Sequence, residues 1–362
     1  MRILLFNLCC LALVFSTKAH NASNNWDGKY TETKAISKTF EVEKTALLDI
    51  KNKYGNIVFT SWDKNEIQID VELKANGNNL KKVKSELEAI EIYFEASSIK
   101  VLAHTDLSAF EKRFWWRKLG APVLEINYTV KLPVKASVKL DNRYGSIKGD
   151  RIEGHARINC DYGSVSIDEL RGRNNQIELD YCNASYFGFI NSAFVDADYS
   201  KLEIDRSNRI ELNTDYTSTS FGNIIELNYD IDYGNLEIEE AGEVAGISDY
   251  VGIRINYLQG SLEADSDYGS IKIMDTDPEA SGIEIDSDYT GIKIGLHPEW
   301  EFNFDFEGSY SDVKGRDLLN LTEVIQKNTS KSYKGYHLNQ SSTNRIQIAM
   351  DYGGLRLERT TK

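Results

Sequence analysis

The chain has 362 residues, more than one compact core usually takes, so two domains or one long repeat body are expected. It carries 42 basic against 56 acidic residues, a net charge of −14, which argues against a nucleic-acid partner, whose affinity would come from Lys and Arg on phosphates, and disfavours simple adsorption to anionic lipid. Only four prolines, with abundant Tyr, Ile and Asn, fit extended strands joined by polar turns.

The first residues read Met-Arg, then an apolar run from Ile3 to Phe15, then Thr17-Lys18-Ala19. That is a signal peptide over residues 1–19, with cleavage expected after Ala19. The alternative, an uncleaved anchor, is disfavoured because the run is shorter than the ~20 residues a spanning helix needs. Cys9 and Cys10 leave with the signal, and no later segment is apolar and long enough to span a bilayer. The protein is expected to be exported, to the periplasm or the cell surface.

Residues 20–45 form an N-terminal extension and first strand, and 46–137 a small α+β capping segment. Within the latter, Leu80, Val83, Leu87 and Ile90 recur at helical spacing, which predicts a short amphipathic helix over 79–89, flanked by strands near Ile90–Phe94, Ile99–Ala103 and Val123–Leu132. The stretch from Phe110 to Lys118 is the one basic, aromatic cluster in an acidic protein. Arg113, Phe114, Trp115, Trp116 and Arg117 are candidate binding residues, because Trp and Arg supply most interface hot spots. The plainer alternative is a loop folded over its own cap.

From residue 138 to 315 the chain repeats. Tyr144, Tyr162, Tyr181, Tyr199, Tyr216, Tyr233, Tyr250, Tyr268, Tyr289 and Tyr310 follow one another every 17 to 21 residues, with Tyr352 later and an outlying copy at Tyr54. In the copy around Tyr289, alternation puts Ile283, Ile285, Ser287 and Tyr289 on one face, and the next apolar pair, Ile292 and Ile294, shifts parity once. Tyr is therefore expected to point inward, with a corner immediately after it, where glycine is frequent. Each copy is a strand, a corner, a second strand and a polar loop. Successive copies bury their inner faces only by stacking. The fold class expected is all-β: a parallel β-solenoid (β-helix-like) of ~18-residue rungs with a small α+β N-terminal cap. An antiparallel sandwich would also alternate, without requiring the same residue at the same register. Residues 316–344 form a polar excursion, with a short helix near Leu318–Gln326, that replaces one rung; 345–362 form the final rung.

The same register places Cys160 inward two residues before Tyr162, and Cys182 at the corner after Tyr181. Three positions of extended chain exceed the reach of a disulfide, so free thiols are expected.

Asp precedes the marker Tyr in nine of twelve copies, and a second outward acidic column lies two residues earlier. Stacked carboxylates repel and call for a counter-charge. Calcium, a hard cation, is the natural candidate, at Glu178, Asp180, Asp196, Asp198, Asp215, Asp230 and Asp232. Asp side chains capping the corner, with solvent screening, are the competing explanation. Basic residues join the second strand from Arg254 onward, at Lys272, Lys293, Lys314 and Arg356. No catalytic motif is present, and the five histidines share no metal-ligand spacing. The chain is expected not to be an enzyme and to need no cofactor beyond that calcium.

Tyr54-Gly55-Asn56-Ile57-Val58-Phe59-Thr60-Ser61-Trp62-Asp63, the link Tyr128-Thr129-Val130-Lys131-Leu132-Pro133 and the repeats resemble a bacterial family of exported β-strand-repeat proteins, labelled putative adhesins or domains of unknown function. The resemblance implies a β-helix-like fold, an envelope location and no catalytic residue. It makes a non-catalytic, adhesin-like interaction scaffold the expected function, with an envelope protein or a glycan as partner. A carbohydrate-active β-helix enzyme and a calcium-binding structural protein are the alternatives.

Overall fold

A computed structural model describes residues 26–114 and 122–361. The expected signal peptide, Trp115, Trp116 and Arg117 lie outside the described residues. The chain divides into two compact units, one ending at Asp150 and the other beginning at Arg151. Both are built almost entirely of strands, and among the described residues no helix is long and apolar enough to cross a membrane.

In the first unit, Tyr30–Glu41 pairs antiparallel with Glu66–Gly77, which pairs antiparallel with Val123–Pro133. Glu91–Ala96 and Lys100–Asp106 form an antiparallel pair, and Leu47–Lys53 lies parallel both to Lys100–Asp106 and to Ser137–Arg143. The expected helix is present as Leu80–Glu88. It starts where the Asn79 side chain accepts a hydrogen bond from the Lys82 amide at 3.1 Å, and it buries Val83 and Leu87. A second helix, Ser108–Phe114, begins where Asp106 accepts from the Ser108 amide at 2.8 Å, and it buries Phe110.

In the second unit, the strands of the repeat pair in parallel with their counterparts in the adjacent copy. Asp161 stands opposite Asp180, then Asp198, Asp215 and Asp232 in succession. Farther along, Asp267 stands opposite Asp288, and Asp288 opposite Asp351. Inward positions are Ile, Leu and Val, as at Ile177, Val195, Leu212, Ile283 and Ile285, all buried.

The end of the repeat differs from expectation. The strand Arg345–Asp351 does not come last in space. It lies between Gly282–Asp288 and Phe302–Ser309, parallel to both. The excursion replaces no copy and contains no helix over Leu318–Gln326. Arg316–Leu318 form a single 3-10 turn, and Asn320–Gln326 with Ser330–His337 form an antiparallel hairpin whose second strand pairs with Phe302–Ser309. The residues from Leu321 to Ile325 alternate weakly, which suits a strand exposed on both faces as well as it suits a helix. Pairing with an open strand edge decides between them.

Candidate functional site: the tyrosine corner and its flanking charges

The corner is made by the tyrosine itself. All twelve marker tyrosines, from Tyr54 to Tyr352, have positive φ between 49° and 63°. A left-handed residue between two strands breaks the alternation at its own position. The residue before it points out, the tyrosine points out, and the residue after it points in. The expectation of an inward tyrosine is therefore corrected: from Tyr144 onward each ring is 43–59 % exposed. In the second unit the inward place belongs to the following residue, which is small: Cys182, Ser200, Thr217, Val251 or Thr290, all buried. Nor do the glycines of this column supply the positive φ. At Gly234 and Gly269 a Cβ would sit 2.1 and 2.2 Å from the backbone oxygen of Thr217 and Val251, so close approach of the preceding copy excludes a side chain there.

The small inward residues also satisfy the corner's backbone. Thr217 Oγ1 lies 2.7 Å from the Ala197 carbonyl oxygen and 3.0 Å from that of Asp215, and accepts from the Ser200 amide at 3.1 Å. Ser200 makes the same set with Leu179, Asp198 and the Cys182 amide, and Thr290 with Ser266, Asp288 and the Gly269 amide. At these three corners the buried hydroxyl is thus paired with backbone groups on both sides.

A non-glycine residue in the left-handed region costs about 1–2 kcal/mol. Stacking offsets that cost. From Tyr162 to Tyr289 successive rings lie 4.8–5.0 Å apart with planes within 8° of parallel, and Tyr352 then stacks between Tyr289 and Tyr310. An aromatic pair contributes roughly 0.5–1.5 kcal/mol beyond its buried area. Because each ring covers its neighbour's face, the column offers solvent its edges and phenol hydroxyls. In the first unit Tyr54 and Tyr144 stack in the same way at 5.5 Å.

The acidic columns run along the strand before the corner. Asp180, Asp198, Asp215 and Asp232 stand in register, as do Glu178, Asp196, Asn213 and Asp230, and none is buried. Partial burial first, and then the neighbouring carboxylates, push Glu178, Asp196, Asp232, Asp249, Asp265 and Asp288 above the ordinary carboxylate range. Capping by these side chains occurs: Asp198 accepts from the Asp215 amide at 3.2 Å and Asp267 from the Asp288 amide at 2.9 Å. Among the described residues no group of three or more His, Cys, Asp or Glu side chains converges as a metal site, and the seven residues suggested for calcium form two rows instead of a cage.

The cysteines are closer than their sequence positions imply. Cys160 stands opposite Leu179, but the left-handed Tyr181 turns Cys182 inward, so its Sγ reaches the Cys160 carbonyl oxygen at 3.1 Å. Both are buried free thiols. The hydrogen bond with Cys182, followed by burial, holds the Cys160 thiol firmly protonated. Of the basic, aromatic cluster, Phe110 is buried and Glu111 pairs with Lys53 at 2.7 Å, while Arg113 and Phe114 lie in the last turn of their helix. His104, unpromising in the sequence, bonds through Nε2 to the buried Asp49 at 2.9 Å. The signal missed in the sequence is the restriction of the position after each tyrosine to small residues, which marks a crowded interior.

No model of a protein family matches the chain, and no curated protein matches it. Among solved structures, a putative adhesin from Parabacteroides merdae is 9% identical over 90% of this chain and 96% of its own, with a TM-score of 0.35. A putative adhesin from Parabacteroides distasonis is 12% identical over 75% of this chain and 97% of its own, with a TM-score of 0.32. A putative cell adhesion protein from Clostridium sporogenes is 10% identical over 91% of this chain and 100% of its own, with a TM-score of 0.17. All three scores fall below 0.5, so these likenesses establish neither the fold nor the role of this chain.

Proposed function

We propose that the protein is an exported, non-catalytic interaction scaffold of the envelope or cell surface, adhesin-like in role, whose second unit is a β-solenoid of ~18-residue rungs. The parallel, in-register pairing of successive copies supports the solenoid. The observation that carries the role is the exposed tyrosine column. Hydrophobic packing of the interior does not require it, since the small residue after each tyrosine fills the inward place. A continuous row of exposed aromatic edges beside carboxylates is suited to a partner surface, because tyrosine brings large contact area at low entropic cost. The segment Arg113 to Arg117 is a second contact surface in this reading.

The test is capture from native envelope by the purified chain, by a Tyr216→Ser/Tyr233→Ser/Tyr250→Ser variant, and by a variant lacking residues 110–118, each checked by circular dichroism for retained strand content. Capture lost in either folded variant assigns the surface. Depolymerisation of an envelope polysaccharide by the purified protein would overturn the non-catalytic reading.

A further inference from the structure

On the strand after the corner, the outward residues form a second pair of columns. Four residues beyond each tyrosine stand Arg254, Lys272, Lys293, Arg356 and Lys314, which face one another in that order across adjacent parallel strands. Two residues beyond each tyrosine stand Gly252, Ser270, Gly291 and Gly354, with Asp312 at the end. The glycines in this column leave a groove open over Gly291 and Gly354. A Cβ at Gly291 or Gly354 would meet nothing within 4 Å, and the cavity over them is ≈ 490 Å³, walled by Lys272, Lys293, Lys314 and Arg356.

The groove carries surplus positive charge in a protein of net charge −14. Lys272 and Lys314 are exposed and make no ion pair among the described residues. Lys293 and Arg356 share a single carboxylate, Glu358, at 2.7 and 3.5 Å. Asp312, the one acid lining the groove, is taken by Lys331 at 2.8 Å and Arg316 at 3.4 Å. A row of cations at the strand spacing of about 4.8 Å would be self-repelling unless something negative lay along it.

We infer that this groove binds a linear acidic polysaccharide, a chain bearing uronate or sulfate groups, laid along the cation column with its sugars over the glycine floor. The cation spacing is close to the advance of one pyranose along an extended glycan, so successive acidic sugars meet successive lysines or arginines. Nucleic acid fits less well, because the tyrosine faces that would stack bases are already covered by one another. The inference deepens the scaffold reading by naming a partner class, but it rests on a different face of the corner, and envelope capture by the tyrosine variants tests that reading separately.

The experiment is equilibrium binding of the purified chain to fluorescent polygalacturonate and dextran sulfate, with neutral dextran and a single-stranded oligonucleotide as controls. Either acidic glycan is expected to bind, more weakly as salt rises, with no binding to dextran. Lys272→Gln/Lys293→Gln/Lys314→Gln should weaken it at least tenfold. Gly354→Leu, which fills the groove without touching a charge, should weaken it as well. Undiminished binding in both variants, an oligonucleotide bound as tightly as the glycans, or no binding of either acidic glycan would overturn the inference.

Discussion

Tyr289 stacks on Tyr352, 63 positions away in sequence, at 4.8 Å and 3°, and Tyr310 stacks on the opposite face of Tyr352 at 4.7 Å. The last copy of the repeat is thus the filling between two earlier ones.

Removal of residues 345–362 should therefore abolish cooperative folding of the second unit instead of trimming an end. Ile346, Ile348, Met350, Leu355 and Leu357 are all buried. At roughly 1.5–3 kcal/mol each, their burial contributes about as much as the whole stability of a typical domain. Urea melts followed by circular dichroism would show loss of the transition. A truncated chain that still melts cooperatively, with only a slightly lower midpoint, would mean that the copies stack in sequence order.

The corner hydroxyls should matter individually. Thr217→Val keeps the volume but removes the donor to the Ala197 carbonyl and the acceptor of the Ser200 amide. Leaving two buried backbone groups unpaired should cost about 2 kcal/mol. Chemical denaturation measures it, and a loss below about 0.5 kcal/mol would mean that water replaces the hydroxyl.

Stability should rise on mild acidification. Glu178, Asp196, Asp232, Asp249, Asp265 and Asp288 have folded pKa values above their ordinary ones, so the folded state binds their protons more tightly. Their stabilising contribution is full below the ordinary carboxylate pKa and is lost as pH rises through the folded value. Glu169, Asp312 and Glu358, held low by Arg171, Lys331 and Lys293, act in the opposite direction, but they are fewer. Melting temperature should therefore peak on the acid side of neutrality. Asp249→Asn should raise stability at pH 7 by about 0.5 kcal/mol, the scale of exposed charge pairs, and the gain should shrink as salt rises or pH falls. A destabilised variant would show that Asp249 is held by favourable contacts. Calcium, compared with sodium at equal ionic strength, should add no more than this screening.

The thiols give a fourth check. Cys160 and Cys182 are both fully buried, so a chain beginning at His20 should react with a thiol reagent only after denaturation, and then at two sites. Fast labelling under native conditions would place one of them at the surface.

Much of this was legible from residue order. The helix Leu80–Glu88, the strands flanking it, the period of the repeat and the outward acidic columns all follow from local alternation and spacing. The face of the tyrosine was not. Ile285 before the corner and Ile292 after it fix only that parity shifts once between them, and an inward Tyr289 with an outward Thr290 satisfies that rule as well as the reverse. The cation groove was half legible: Lys272, Lys293, Lys314 and Arg356 stand out in sequence, but their order in space depends on where the last copy inserts.

The repeat, its strand-corner-strand plan and the columns that carry charge are set by neighbours within one copy, so residue order is enough to fix them. Tertiary structure alone decided that the tyrosines face out, that Cys182 meets Cys160, and that residues 345–351 lie inside the stack. The first two depend on a single left-handed φ at the corner, and the third on which of several equivalent strand edges a returning chain pairs with. Interchangeable copies leave that choice unmarked in their own residues; the hairpin closing the edge beside Phe302–Ser309 makes it.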